Sequence, residues 1–97
     1  MILEQALLTI RPGHSTAFEA ALQKARPLIA ASPGFVSIEV RAAIEHPDRY
    51  LLTVGWEDIA SHRDGFRTSD RYKNWCDLLH CFYDPMPTIT YFAESIL

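Results

Sequence analysis

The stretch from Trp56 to Trp75, WEDIASHRDGFRTSDRYKNW, concentrates the residues of this chain best suited to chemistry. His62 lies six positions after Trp56, in the helical segment expected after the third strand. An imidazole with an ordinary pKa of about 6.5 can take a proton at neutral pH, so His62 is the candidate general base. The competing role is a half-exposed helix histidine with a hydrogen-bonded ring, and the sequence locates no carboxylate partner for it. Trp56, Phe66, Tyr72 and Trp75 are candidates for the wall of a pocket that binds a flat substrate. Aromatics at helical spacing in a small domain equally build a core. Tyr72 adds a hydroxyl that can bond a substrate oxygen, and Tyr50 and Tyr91 are weaker versions of the same idea.

Cys76 and His80 stand four apart and can share a helix face. A structural zinc site takes four ligands, and His14 and His46 fall at turns distant in sequence, so no metal is expected. Cys76 and Cys81 are five apart on one helix, on different sides of it, which suits two reduced, mostly buried thiols better than a disulfide. Arg63, Arg67 and Arg71 recur every four residues beside Asp64 and Asp70. They either draw in an anionic substrate or form a solvated face, and the solvated face is the expectation.

The chain that must position these residues has 97 of them, 48% hydrophobic and 22% charged, which fits one globular domain. A domain this small buries a limited fraction of its surface, so self-association is an expected supplement. The net charge of −3 argues against a nucleic-acid partner. No secretory leader and no run of roughly 20 apolar residues is apparent, so no membrane partner is expected and the expected compartment is the cytoplasm.

Ile2–Ile10 is an apolar strand closed by the turn residues Arg11-Pro12-Gly13. Ser15 to Ala31 carries Phe18, Ala21, Leu22, Ala25, Leu28 and Ile29 at helical spacing. Thr16 with Glu19 fits a capping box, with Ser15 as the other candidate cap, and Pro27 should kink the helix or restart it. Phe35–Ile44 alternates, with Val36, Ile38, Val40 and Ala42 on one side. The turn His46–Arg49 and the strand Tyr50–Trp56 complete a hairpin. Helical pattern resumes at Glu57, breaks at Gly65, and restarts at a Thr68 or Ser69 cap to run to about Phe82. Thr88–Ala93 is the last strand. The order is that of a ferredoxin-like α+β fold, βαββαβ, with a four-stranded antiparallel sheet and helices on one face. Leu7 and Leu8, or Leu51 and Leu52, put apolar residues on both faces. A second copy packed sheet against sheet would cover the face the helices leave open.

These features together resemble the antibiotic biosynthesis monooxygenase (ABM) domain, a family of dimeric α+β barrels. The resemblance rests on LTIRPGH at the end of the first strand, the helix before SPGF, YLLTVGWEDIASH, and the continuation FRTSDRYKNW. It runs over nearly the whole chain, residues 1–97 as a single domain. It implies oxygenation of a small aromatic or quinol-like substrate by dioxygen, with neither metal nor organic cofactor. Such a substrate must first lose a proton to become an anion able to reduce dioxygen, which asks for a base and a dry aromatic cavity. The family also includes isomerases and haem-degrading members. The haem branch is expected to carry Asn, Trp and His where this chain has Ala6, Phe66 and Cys76, so haem chemistry is not expected. Two other roles stay open: a small-ligand binding domain using the same pocket without chemistry, and a structural dimer module.

Overall fold

The computed structural model describes residues 1–97. Strands β1 (Ile2–Thr9), β2 (Phe35–Ala42), β3 (Arg49–Trp56) and β4 (Thr90–Phe92) form one antiparallel sheet in the order β2-β3-β1-β4. Helices α1 (Ser15–Ala30) and α2 (Asp70–Leu79) pack against each other over one face of it. The fold is the expected ferredoxin-like α+β arrangement.

The period of two along each strand decides what lies under the helices. On β1, Glu4, Ala6 and Leu8 face inward, and on β3, Tyr50, Leu52, Val54 and Trp56 do. They meet Phe18, Ala25 and Ile29 of α1 and Trp75 and Leu79 of α2 in a single core. The other face carries Leu7, 74% exposed, with half-buried Leu3 and Leu51 and exposed Phe92. Leu7 lies opposite Leu51, and Leu3 opposite Phe92, so these side chains form a continuous apolar surface that the helices leave bare.

Several local expectations are corrected. No capping box forms at α1: His14 stands at the N-cap without a side-chain bond. The Ser15 hydroxyl instead donates to Asp48, and Glu19 accepts from the Tyr50 hydroxyl, so tertiary bonds use the groups a cap would need. Pro27 does not restart the helix, which runs on to Ala30. It lies in the last turn, where the lost N–H removes one bond only. In β2 a bulge between Phe35 and Ser37 breaks the alternation. Phe35 stays on the core side, edge-on to Trp56, while Val36 is thrown outward and is 49% exposed. Cys76 is half-buried on α2, and Cys81 is exposed on the 3-10 turn His80–Phe82 that follows it.

Between β3 and α2 the chain makes a π-helical turn, Ser61–Gly65, and a 3-10 turn, Phe66–Thr68, in place of a regular helix. Ser69 then caps α2, its hydroxyl accepting from the Tyr72 N–H. The start of the π turn is held by Asp58, which takes both the backbone N–H and the hydroxyl of Ser61. Gly34 sits directly over it with φ +83°, and a Cβ there would come within 2.1 Å of the Ser61 hydroxyl oxygen. Gly34→Ala therefore combines left-handed backbone strain with a clash one residue from His62. Thermal or urea unfolding should show a loss of about 2 kcal/mol or more, above the 1–2 kcal/mol of backbone strain alone. A loss below half that would mean that Ser61 moves aside freely.

Candidate active site

The π turn delivers His62 into the core, where it is 4% exposed. Trp56, at the end of β3, is fully buried and lies against the imidazole with ring centroids 5.3 Å apart. Phe66 lies 6.3 Å from the imidazole and 6.0 Å from Trp56, so the three rings cluster. Both imidazole nitrogens meet protein groups. Nδ1 is 2.6 Å from the Tyr91 hydroxyl, and Nε2 is 3.3 Å from Oε1 of Glu4. The same Oε1 accepts the Trp56 indole N–H at 2.9 Å. Glu4 is itself 4% exposed, a carboxyl in the middle of an otherwise apolar strand face.

Burial pushes the His62 pKa down to about 4, and the Arg67 charge adds to the effect. Burial pushes Glu4 up, while the Trp56 hydrogen bond and Arg67 pull it back. His62 is therefore neutral at physiological pH. The network then assigns its proton: Nε2–H points at the Glu4 carboxylate, and Nδ1 accepts from Tyr91. Trp56 donates to Glu4 Oε1, His62 Nε2 stands 3.3 Å from the same oxygen, and the Tyr91 hydroxyl meets Nδ1.

This network has a measurable signature in stability. As pH falls, the unfolded chain protonates its histidine near the ordinary 6.5, whereas the folded chain waits until about 4. Over that interval the unfolded state holds more protons, so stability falls with pH. Glu4, raised in the fold, contributes with the opposite sign and remains in a His62→Gln variant. Relative to that variant, the wild type should lose on the order of 2 kcal/mol between pH 6.5 and 4, after allowance for screening along the cavity wall. Parallel denaturant titrations at each pH measure the difference. A constant difference across the interval would place His62 outside the core.

Glu4 and His62 line a cavity of about 230 Å³ between the sheet and the helices. Phe66, Tyr72 and Trp75 line it, joined by Arg67, His80 and Tyr83. Trp56 does not reach the cavity; it stands behind His62 and fixes Glu4. Trp75 also borders a second cavity of about 260 Å³ between α1 and the β2–β3 edge. The three arginines divide rather than forming one solvated face. Arg63 pairs with Asp64 at the surface and Arg71 reaches Ser32. Arg67 lies over the Tyr72 ring, 5.7 Å from its centroid, at the cavity wall. Arg67 is thus the cation placed to meet an anion in the cavity. No group of three or more His, Cys, Asp or Glu side chains comes together to hold a metal ion. Nor is any helix long and apolar enough to cross a membrane.

Sequence reasoning did not single out Glu4. Its signal was present in ILEQALLTI, where period-two alternation puts Glu4 on the same face as Ala6 and Leu8. A lone carboxylate on the buried face of a central strand needs a partner.

The sequence pattern of antibiotic biosynthesis monooxygenases matches residues 1–78, from β1 through most of α2. This chain belongs to that family. It is 38% identical over 94 residues to YczJ of Bacillus subtilis (strain 168), an uncharacterised protein, covering 97% of this chain and 99% of that one. Among solved structures it is similar to a Bordetella bronchiseptica protein assigned to the same family. That likeness has a TM-score of 0.93 and 30% identity over 98% of this chain and 97% of the other. It also shares its fold with SnoaB, a cofactor-independent oxygenase from Streptomyces nogalater, at a TM-score of 0.86 and 16% identity. The SnoaB match covers 99% of this chain and 94% of SnoaB. The family's sheet-and-helix frame thus encloses the Glu4–His62 cavity in this member.

Proposed function

We propose that the protein is a cofactor-independent monooxygenase acting on a small aromatic, quinol-like substrate, with the Glu4–His62 pair as its proton acceptor. The observation that carries this is a neutral, buried histidine whose Nε2 stands 3.3 Å from a buried carboxylate, both lining one aromatic-walled cavity. Phe66, Tyr72 and Trp75 hold the ring, and Arg67 stabilises the substrate anion. Trp56 acts through Glu4 rather than on substrate. The anion passes an electron to dioxygen and combines with it to form a peroxide, and loss of water leaves one oxygen atom in the product. For 1,4-dihydroxynaphthalene the balance is quinol plus dioxygen giving 2-hydroxy-1,4-naphthoquinone plus water.

Aerobic incubation with that quinol, followed by product analysis, tests the assignment. The expected product is the hydroxyquinone, formed faster than the spontaneous reaction and without hydrogen peroxide. Recovery of bound, unchanged quinol would instead favour a binding domain. The bare apolar sheet face, with Leu7 74% exposed, supports the further proposal that two copies pack sheet to sheet. Sedimentation should give a dimer, and a monomer at micromolar concentration would remove that part.

A further inference from the structure

Nδ1 of His62 is engaged by the Tyr91 hydroxyl, and Nε2, assigned the ring proton, stands 3.3 Å from Oε1 of Glu4, so the imidazole presents no free lone pair to a ligand. The Glu4 carboxylate differs. Its Oε1 is occupied by Trp56 and His62, while Oε2 has no protein partner on a residue that lines the cavity. Nor is Oε2 sealed into the protein as a buried atom without a partner; the Arg71 Nε alone has that status. The Trp56 N–H on Oε1 favours the carboxylate against the upward push of burial and fixes its orientation, and the free oxygen is left for a proton arriving from the cavity.

The geometry points to Glu4 as the catalytic residue that touches substrate, its Oε2 taking the substrate proton, with His62 and Trp56 as residues that position it. In that step a C–H or O–H bond of the substrate breaks, the proton moves to Oε2, and the electron pair stays on the substrate as an enolate or quinolate. Arg67, the cation at the cavity wall, faces that charge. His62 keeps its own proton throughout and holds Glu4 through Nε2–H. The assignment rests on the proposed function for its site, but the proton step itself requires no dioxygen.

That independence supplies the test. 2,3-Dihydro-1,4-naphthoquinone, the diketo tautomer of 1,4-dihydroxynaphthalene, becomes the quinol in two enolisations, each losing a proton from carbon and gaining one on oxygen. The reaction can be followed by absorbance without air. The wild-type protein should accelerate it, and Glu4→Gln should lower kcat at least about 100-fold with KM within about threefold. The glutamine keeps an oxygen for the Trp56 N–H, and circular dichroism checks that the variant is folded. Glu4→Asp, a displaced but ionisable carboxyl, should recover part of the rate. The acid limb of the pH–rate profile should vanish in Glu4→Gln and survive, displaced, in His62→Gln. The proposal is overturned if Glu4→Gln keeps the wild-type rate, if the limb vanishes only in His62→Gln, or if the wild type leaves the diketone unchanged. Tautomerisation that depends on Glu4, without oxygen consumption in air, would uphold Glu4 and remove the oxygenase assignment.

Discussion

Trp56→Ala should be among the most damaging single substitutions in this protein, lowering stability by about 3–5 kcal/mol. The indole is wholly buried and packs against Phe35, His62 and Phe66. Its removal leaves a cavity beneath β2, β3 and the π turn together. In a domain of this size each kcal/mol corresponds to roughly 4–8 °C, so the thermal midpoint should fall by roughly 15 °C or more. Part of the loss is electrostatic, because Glu4 would lose its donor while remaining buried. Trp56→Phe isolates that part by keeping most of the ring and deleting the N–H. It should cost about 1–3 kcal/mol at neutral pH. The sign of its pH dependence follows from Glu4. The indole N–H favours the carboxylate, so its deletion raises the folded pKa of Glu4 further above the ordinary 4.5. The penalty is full above that raised value and shrinks as pH falls through it. A Phe variant equally destabilised at pH 7 and pH 4 would show that Trp56 serves packing alone.

His62→Gln should lower the rate of quinol oxygenation by about 100- to 1000-fold, within the range that general-base contributions span. The introduced amide can still donate to Glu4, yet it cannot reproduce the imidazole's two-sided link between Tyr91 and Glu4. The carboxylate loses its fixed orientation as well as its partner. KM should change little, because Phe66, Tyr72 and Trp75 still line the cavity. Steady-state oxygen consumption over a range of quinol concentrations separates the two parameters. Retention of more than about a tenth of the rate would remove the histidine from the machinery.

How far the sequence carries toward this site depends on what each residue's neighbours are in the chain. The strand order and the buried faces follow from local pattern, as with Leu8 of β1 and Leu52 of β3, both 5% exposed or less. The aromatic wall was legible because Phe66, Tyr72 and Trp75 lie within one short stretch that folds back over the sheet. The carboxylate was not. Glu4 reaches His62 only through the alignment of β1 with β3, which sets it opposite Val54 and beside the end of that strand. Tyr91 comes from the last strand, 29 residues beyond His62. The π turn is a further reason, since helical spacing in the sequence gives no sign of the widened turn that carries His62. Trp56, an aromatic of the same stretch, instead stands outside the cavity lining with its indole N–H on Glu4. Val36 shows the limit of alternation itself, because a single bulge residue reverses its side.

The central claim, that this family member inserts oxygen using only its own side chains and its substrate, is tested most directly with ¹⁸O₂. Chelator-treated protein is incubated with 1,4-dihydroxynaphthalene under the labelled gas, and the product is examined by mass spectrometry. The expected result is 2-hydroxy-1,4-naphthoquinone carrying one ¹⁸O atom, with one dioxygen consumed per product molecule. Unlabelled product, or 1,4-naphthoquinone with an equivalent of hydrogen peroxide, would contradict it.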